Sequence, residues 1–370
     1  MKFDSLKLNN FRNYESVNLK FNSGLNIIYG KNGSGKTNIV EALYVLGLTK
    51  SFRTKEEKNV IKKGEPSTKI EAKVKNKGTD TYQIVINSEG KKVKINNQQE
   101  SKLSNYISNI NIIIFQPEDQ MLLKLPPSIR RKMINIEISQ INKDYIIYLN
   151  NYNRILKQRN FYLREMMINA NATKDYLDIL TTKLIDYGIK INEERSQFIE
   201  YINKYIGEIY KNIFGKGDLK IKYSSDYNNK KKDDLLKMYQ NNLKYDINIG
   251  KTNSGIQHDD IDFILDGNSI KEWGSIGEQK NAVFSFKLAE ISIFKELRNS
   301  NPILILDDIF SELDKSKIKN IINILDNNIQ TFITTTEIER INKKFARDAK
   351  VFRVKDGNIE EVVRNERKSL

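Results

Sequence analysis

The sequence predicts an α/β protein whose sheet core is interrupted by an inserted helical domain. Residues 25–29 have the apolar, β-branched composition of a short strand, and apolar residues then recur at helical spacing from Ile39 to Leu46. A second apolar strand at residues 303–306 ends in two aspartates. Between these segments, apolar residues repeat in heptads. The α/β pattern therefore opens and closes the chain, with helices between its two parts.

The N-terminal part alternates in the manner of an antiparallel sheet. Residues 2–8 and 25–29 predict two strands in the first 29 residues. Residues 67–97 alternate in short runs broken at Lys77-Gly78 and Glu89-Gly90, which is typical of a meander. Residues 110–115 form an apolar strand that stops at Gln116-Pro117.

Two heptad seams in the middle of the chain predict a helical hairpin. The first runs from Ile134 to Met166 and the second from Leu177 to Tyr205, with a turn at residues 169–172. Arms of nearly 40 residues would be roughly 55–60 Å long at 1.5 Å per residue. An ordinary helical domain without a protruding arm explains the same pattern, and both interpretations stay open.

The remaining segments complete the predicted domain organisation. Residues 215–254 are polar and rich in Lys and Asn, which predicts that part of this stretch is a mobile loop. Strands follow at residues 303–306 and 330–333, and a terminal hairpin turns at Asp356-Gly357. We therefore expect three regions: the first part of the core at 1–120, the helical arm domain at 121–250, and the second part of the core at 251–370.

Composition restricts the chemistry that the chain can perform. Its 370 residues contain 62 Lys+Arg, 47 Asp+Glu, one histidine and no cysteine, for a formal net charge of +15. Disulfide scaffolds, thiolate metal sites, cysteine nucleophiles and multi-histidine sites are excluded. No apolar run reaches the ~18 residues of a membrane span, so we expect a cytoplasmic protein with no membrane partner. The positive charge favours an anionic partner, with nucleic acid as the first candidate.

Residues 30–37 fit the phosphate-binding pattern G-x-x-x-x-G-K-[ST] and lie between a predicted strand and a predicted helix. In this pattern the backbone N–H groups surround phosphate oxygens, Lys36 neutralises the β- and γ-phosphates, and Thr37 ligates Mg²⁺. The candidate nucleotide-binding residues are Gly30, Lys31, Asn32, Gly33, Ser34, Gly35, Lys36 and Thr37.

The two aspartates after the apolar strand complete this site. A strand that ends beside the phosphate loop delivers a carboxylate to it, so Asp307 is a second candidate ligand of Mg²⁺. Asp308 is the candidate catalytic residue that orients or deprotonates the attacking water.

Further segments resemble one family of ATPases. Residues 275–279 resemble the signature motif of ABC-type ATPases, residues 311–314 resemble their D-loop, and Gln116 occupies the place of the Q-loop glutamine. Together the chain resembles the RecF family, which is related to the SMC and Rad50 ATPases. The resembling segments, in order, are residues 10–14, 30–41, 51–54, 117–119, 130–131, 152–154, 158–160, 307–308 and 311–314.

This resemblance implies a fold and a mechanism. The expected fold is an ABC/SMC-type ATPase head, a mixed sheet with a P-loop and an antiparallel β subdomain, with an inserted helical arm. Two heads would dimerise around ATP, with Ser275 and Gly277 of one subunit contacting the γ-phosphate held by the other. Gln116 would sense the γ-phosphate or complete the Mg²⁺ shell, and ATP hydrolysis is expected to be weak and DNA-stimulated.

The resemblance also implies a cellular role. Expected partners are gapped or junction DNA, an ATP-dependent second copy, RecR and RecO, with RecA loaded indirectly during replication, recombinational repair and the SOS response. Candidate DNA contacts are Arg53, Arg130, Arg131, Lys132 and residues 230–232, each of which is equally well a solvated surface charge.

The sequence says less about the roles of several other side chains. Arg12 could approach the nucleotide or remain a surface charge at a strand end. His258 is more often structural or exposed than catalytic in such a polar stretch, the tyrosines of the heptad seams are expected in the core, and Trp273 is expected to pack.

Two other functions share these motifs. A nucleotide-binding subunit of a membrane transporter would normally carry a switch histidine, whereas residues 334–336 here are threonines. An SMC- or Rad50-like structural clamp would need a far longer coiled coil. The signature motif also departs from the RecF pattern, with Glu278 where glutamine is usual.

Overall fold

The computed structural model describes residues 1–169, 172–309, 317–318, 320, 328–338, 348–355 and 357–362. The strands are β1 (Lys2–Phe11), β2 (Tyr14–Lys20), β3 (Leu25–Tyr29), β4 (Ser67–Lys75), β5 (Thr79–Asn87), β6 (Gly90–Ile95), β7 (Gln98–Gln99), β8 (Ile112–Phe115), β9 (Leu219–Ser224), β10 (Asp260–Leu265), β11 (Asn268–Ser269), β12 (Ile303–Asp307), β13 (Thr331–Thr335), β14 (Lys350–Lys355) and β15 (Asn358–Glu361). The helices are α1 (Lys36–Leu48), α2 (Leu103–Ile107), α3 (Pro127–Ile141), α4 (Lys143–Ile168), α5 (Lys174–Phe214), α6 (Lys232–Ile249), α7 (Ile270–Trp273) and α8 (Ile276–Arg298).

The chain divides into two compact units. The first contains Met1–Gln120, Lys211–Gly215 and Val283–Leu370, and the second contains Met121–Tyr210 and Lys216–Ala282. The second unit continues past position 250 because β10 pairs with β9, which joins residues 260–265 to the strand that follows α5.

The central sheet of the first unit has the order β15-β14-β3-β13-β12-β8. From β14 to β8 the neighbouring strands are parallel. Strands β8, β12 and β13 are buried at every position, as expected for parallel strands covered on both faces. The carboxyl ends of β3, β12, β13 and β8 therefore lie at one edge. The terminal hairpin of β14 and β15 is antiparallel, as predicted.

The second sheet of this unit is antiparallel, in the order β2-β1-β4-β5-β6-β7. The predicted meander is confirmed as β4, β5 and β6. The prediction of two strands before residue 30 was incomplete, because β2 is a third strand with a largely polar sequence. Buried residues alternate with more exposed ones along β4 and along residues 5–9 of β1, so one face packs inward while the other meets solvent.

Helices α4 and α5 of the second unit form the predicted antiparallel hairpin. Asn142 donates to Glu194 and Arg159 donates to Thr181, which fixes the antiparallel direction. The first predicted arm is two helices, α3 and α4, because the Asn142 side chain caps α4 by accepting from the Asp144 amide. Two seam tyrosines, Tyr145 and Tyr152, are fully buried as expected. The others are only partly buried, namely Tyr148, Tyr162, Tyr187, Tyr201 and Tyr205.

The stretch at residues 215–254, part of which is predicted to be a loop, is mostly regular: it contains β9 and α6, and α6 packs on α4 through the buried pair Arg159 and Asp246. The prediction that Trp273 packs was wrong, since 79% of its surface is exposed.

Some predicted features lie outside the described residues, namely the D-loop at 311–314, positions 170–171 of the hairpin turn, and Asp356. Among the residues that are described, no helix combines the length and the apolar composition that crossing a membrane requires.

Candidate nucleotide site

The loop at residues 30–37 joins β3 to α1, and two of its glycines have backbone angles that favour glycine. Gly33 has φ +77° and Gly35 has φ +114°. A Cβ at Gly35 would lie 2.7 Å from the hydroxyl oxygen of Tyr14, which is too close for any side chain. The loop therefore turns tightly into the N-terminus of α1, where backbone N–H groups can meet an anion.

The ammonium group of Lys36 lies across this loop. Its Nζ donates to the carbonyl oxygens of Gly30 at 2.9 Å and Lys31 at 3.0 Å. Burial lowers the pKa of Lys36, while the carboxylates of Asp308 and Asp307 favour its charged form. The hydroxyl Oγ of Ser34 is buried and has no hydrogen-bond partner within the described part of the chain. A buried cation and an unpartnered hydroxyl in one glycine-rich loop fit a polyphosphate.

Thr37 and Asp307 meet although 270 positions separate them in sequence. Thr37 Oγ1 donates to Asp307 Oδ1 at 3.0 Å, and Thr334 Oγ1 donates to the same oxygen at 2.6 Å. Burial raises the pKa of the Asp307 carboxyl, while the two hydroxyls favour its charged form. A carboxylate beside a hydroxyl is a hard oxygen-donor set, so these residues fit the predicted Mg²⁺ site.

The two predicted catalytic residues lie at the same sheet edge. Asp308 follows β12 with φ +50°, and its backbone N–H donates to Thr334 Oγ1 at 2.9 Å. Gln116 follows β8, the parallel neighbour of β12, and its side-chain amide is 3.4 Å from Asp119 Oδ1. The structure thus brings Asp308 and Gln116 to the edge that carries Thr37 and Asp307, and their catalytic roles stay predictions.

Ser275 and Gly277 belong to the second compact unit and are exposed at the start of α8. Ser275 donates to Glu278 Oε2 from its amide and from its hydroxyl, each at 2.8 Å, and the Glu278 amide donates back to Ser275 Oγ at 3.2 Å. This reciprocal arrangement is a capping box. The contact of Ser275 and Gly277 with a nucleotide stays a prediction.

Residues without a predicted role hold the loop in place. The Tyr14 hydroxyl donates to the Gly35 carbonyl at 3.0 Å, and burial raises the Tyr14 pKa. Asn38 of α1 donates to Asn13 Oδ1 at 2.7 Å. The resemblance pointed to Asn13 and Tyr14, but their hydrogen bonds to the loop have no local sequence signal.

A buried acid of α1 was also missed. Glu41 is fully buried and accepts from Arg12, from Ser51 at 2.6 Å and from Arg53 at 3.3 Å. Arg12 is therefore held by a buried carboxylate and is not a loose surface charge. It ties the turn after β1 to the helix of the phosphate loop. Arg53, Thr54, Lys58 and others line an open, basic cavity of about 570 Å³ beside this cluster.

The predicted DNA contacts differ in exposure. Arg130 was wrong as a surface contact, because it is 1% exposed and donates to both carboxylate oxygens of Asp260 at 2.7 Å. Arg131 is half-buried and donates to the Asp259 carbonyl at 2.7 Å. The exposed members are Arg53, Lys132, Lys230, Lys231 and Lys232, and His258 is exposed as well.

Comparison with known proteins supplies the family context. The sequence matches the profile of the RecF/RecN/SMC N terminal domain over residues 2–360. It is similar to the DNA replication and repair protein RecF of Ligilactobacillus salivarius, with 35% identity over 98% of each chain. The RecF of Enterococcus faecalis is 36% identical over 97% of this chain and 99% of its own.

The structure is similar to solved structures as well. Two structures of the recombination mediator protein RecF in the RecFOR pathway, named RecF-ATP and RecF-ATPrS, have TM-scores of 0.90 and 0.89, with 27% identity and 98% of each chain covered. The Smc head domain of Pyrococcus furiosus has a TM-score of 0.55 at 17% identity, over 98% of this chain and 96% of its own, and shares the fold alone.

Proposed function

Since the chain belongs to the RecF family, we propose that it is an ATP-dependent DNA-binding protein of DNA replication and recombinational repair. The observation that carries the proposal is the contact of Thr37 with Asp307 at 3.0 Å beside the buried Lys36 ammonium. Although 270 positions separate Thr37 from Asp307, the fold brings them together with the one lysine of the phosphate-binding pattern. The RecF relative solved with ATP supports ATP as the nucleotide.

Each residue of the site has a defined task in this proposal. The loop N–H groups and Lys36 bind the phosphates, and Thr37 and Asp307 hold Mg²⁺, which supplies positive charge to the phosphate oxygens. Asp308 orients the attacking water and accepts its proton. The Gln116 side chain lies beside the γ-phosphate and senses it. We expect weak, DNA-stimulated hydrolysis of ATP to ADP and phosphate.

The proposal includes an ATP-dependent homodimer. The Ser275 hydroxyl and the Gly277 amide of one subunit contact the γ-phosphate bound by the other, so ATP stabilises only the paired state. The dimer holds gapped or single-strand/double-strand junction DNA. The name of the RecFOR pathway in the RecF structures supports RecO and RecR as partners, with assistance to RecA loading and SOS induction downstream. We expect this ATP cycle to take place in the cytoplasm.

Binding of a gapped duplex with and without ATP and Mg²⁺ tests this function. We expect ATP to strengthen binding at least tenfold in the wild type and to have no effect in Lys36→Ala, because the phosphate-neutralising ammonium is lost. The matched control is Lys63→Ala, an exposed lysine outside the loop. Equal binding in all conditions would contradict an ATP-gated DNA-binding protein.

A further inference from the structure

The antiparallel sheet of the first unit has an outer face made almost entirely of polar residues. Its inner face carries the buried apolar residues of β1, β4 and β5, such as Leu6, Ile70 and Ile84. The alternate positions point outward, where lysines dominate. We call the following residues the lysine face: Lys7, Lys20, Lys69, Lys73, Lys75, Lys92 and Lys94.

Strand register places these lysines on one surface, because residues directly opposite in a sheet share a face. Ser5 lies between Lys20 of β2 and Lys73 of β4. Two outward rows further along the sheet, Val85 of β5 lies between Lys69 of β4 and Lys92 of β6. All seven residues belong to one compact unit, so the face is a property of the sheet itself.

The charge on this face is unbalanced. Its carboxylates are Glu71, shared by Lys69 at 2.9 Å and Lys7 at 3.9 Å, and Asp4, which pairs with Lys75. Over the described parts of the chain, no carboxylate lies within 4.0 Å of the four remaining lysines, Lys20, Lys73, Lys92 and Lys94. Uncompensated like charges on a sheet repel one another, and a bound polyanion relieves that repulsion.

We propose that the lysine face binds the phosphate backbone of duplex DNA. The inference rests on the proposed function and assigns its DNA contact to a surface. Strand β4 has nine residues and spans about 30 Å, a length over which a duplex carries about 17 phosphate charges. Lysines on four of five consecutive strands, namely β2, β1, β4 and β6 with β5 between the last two, form a two-dimensional array that can meet phosphates of both DNA strands.

The other side chains of the face favour duplex over single-stranded DNA. Surfaces that bind single strands stack bases on aromatic rings. The exposed outward positions of β1, β2, β4, β5 and β6, all of which are described in full, contain no aromatic residue. Instead, polar groups that can hydrogen-bond to phosphate oxygens lie between the lysines, namely Ser5, Asn9, Asn18, Thr81 and Gln83. Such a surface contacts the backbone without reading the base sequence.

A triple variant, Lys20→Gln/Lys73→Gln/Lys94→Gln, tests the assignment with a blunt duplex probe over a series of salt concentrations, in the presence of ATP and Mg²⁺. Each phosphate contact contributes about 0.9 to the slope of log K against log salt. We expect the slope to fall by two to three and the affinity at ~100 mM salt to fall at least tenfold. The matched control, Lys157→Gln/Lys183→Gln/Lys237→Gln, removes the same charge from exposed helical positions of the second unit.

The outcomes distinguish a failure of the surface assignment from a failure of the proposed function. An unchanged salt slope in the lysine-face variant, or an equal loss of DNA affinity in the control, overturns the surface assignment. If the wild type still binds DNA in an ATP-dependent manner, the proposed function stands. A loss on a single-stranded oligo-dT probe as large as on the duplex overturns the choice of duplex. No DNA binding by the wild type refutes both. Unchanged thermal unfolding of the variants shows that these losses are not losses of fold.

Discussion

At the start of α8, Glu278 occupies the Ser275 hydroxyl, which is one of the two groups that the proposed dimer needs. The Ser275 amide and hydroxyl both donate to one carboxylate oxygen of Glu278, each at 2.8 Å. A helix N-terminus attracts anions, and here its own carboxylate supplies the negative charge. A γ-phosphate arriving from a second subunit meets a site that already holds an anion. Glutamine at this position would keep the capping box without that charge.

We therefore predict that Glu278→Gln strengthens ATP-dependent self-association. Removing one negative charge beside a phosphate at an exposed helix end is worth a few tenths to about 1 kcal/mol, or up to about fivefold in the dimer dissociation constant. Analytical ultracentrifugation with ATP and Mg²⁺ measures the change. The control is Glu272→Gln, an exposed glutamate of α7 just before the motif. Weaker association in Glu278→Gln than in the control would show that the carboxylate assists the contact.

At the scale of elements, α6 is held to α4 by a buried polar network. Arg159 donates to Asp246 at 2.9 Å and to Thr252 at 2.6 Å, and the Asn253 amide donates to Asp246 at 3.0 Å. Both charged side chains of the pair are almost completely buried. The ion pair therefore fixes where α6 lies on α4 and where the segment after α6 runs.

Asp246→Asn is predicted to destabilise the second unit by about 3 kcal/mol, because it leaves the Arg159 guanidinium buried without a countercharge. Equilibrium urea unfolding, followed by far-UV circular dichroism, measures the loss. Asp233→Asn changes an exposed aspartate on the same helix and serves as the control. A loss below 1 kcal/mol in Asp246→Asn would mean that water or a shifted side chain replaces the carboxylate.

The same network shows what the sequence could predict and what it could not. The phosphate loop, the apolar strand before Asp307 and the seams of α4 and α5 carry local patterns of glycine or apolar residues, and each was predicted. Helix α6 was missed because Lys and Asn dominate the composition of its segment, although Leu235, Tyr239 and Leu243 recur at helical spacing. No local pattern shows that Asp246 is buried, since its partner Arg159 lies on another helix. Likewise, Glu41 acquires its role from Arg12 and Arg53, which no local pattern pairs with it.

At the scale of the whole molecule, both ends of the chain build one sheet. Strand β3 lies between β13 and β14, and β12 lies between β8 and β13. The parallel order brings Thr37 to Asp307 and places Thr334 where it contacts Asp307 and Asp308 together. Neither end of the chain contains this site alone, so nucleotide binding depends on the complete head.

This arrangement leads to a prediction for the whole ATP cycle. The backbone N–H of Asp308 is held by Thr334, so Asp308→Asn keeps the local fold while it removes the group proposed to accept a proton from water. We expect ATP turnover to fall about 10²–10⁴-fold, with ATP binding retained. The ATP-bound dimer should then persist, which size-exclusion chromatography with light scattering detects after ATP is added. Asp178→Asn, an exposed change on α5, should behave as the wild type. Normal turnover in Asp308→Asn would remove Asp308 from the catalytic site and leave Gln116 as the remaining candidate at this edge.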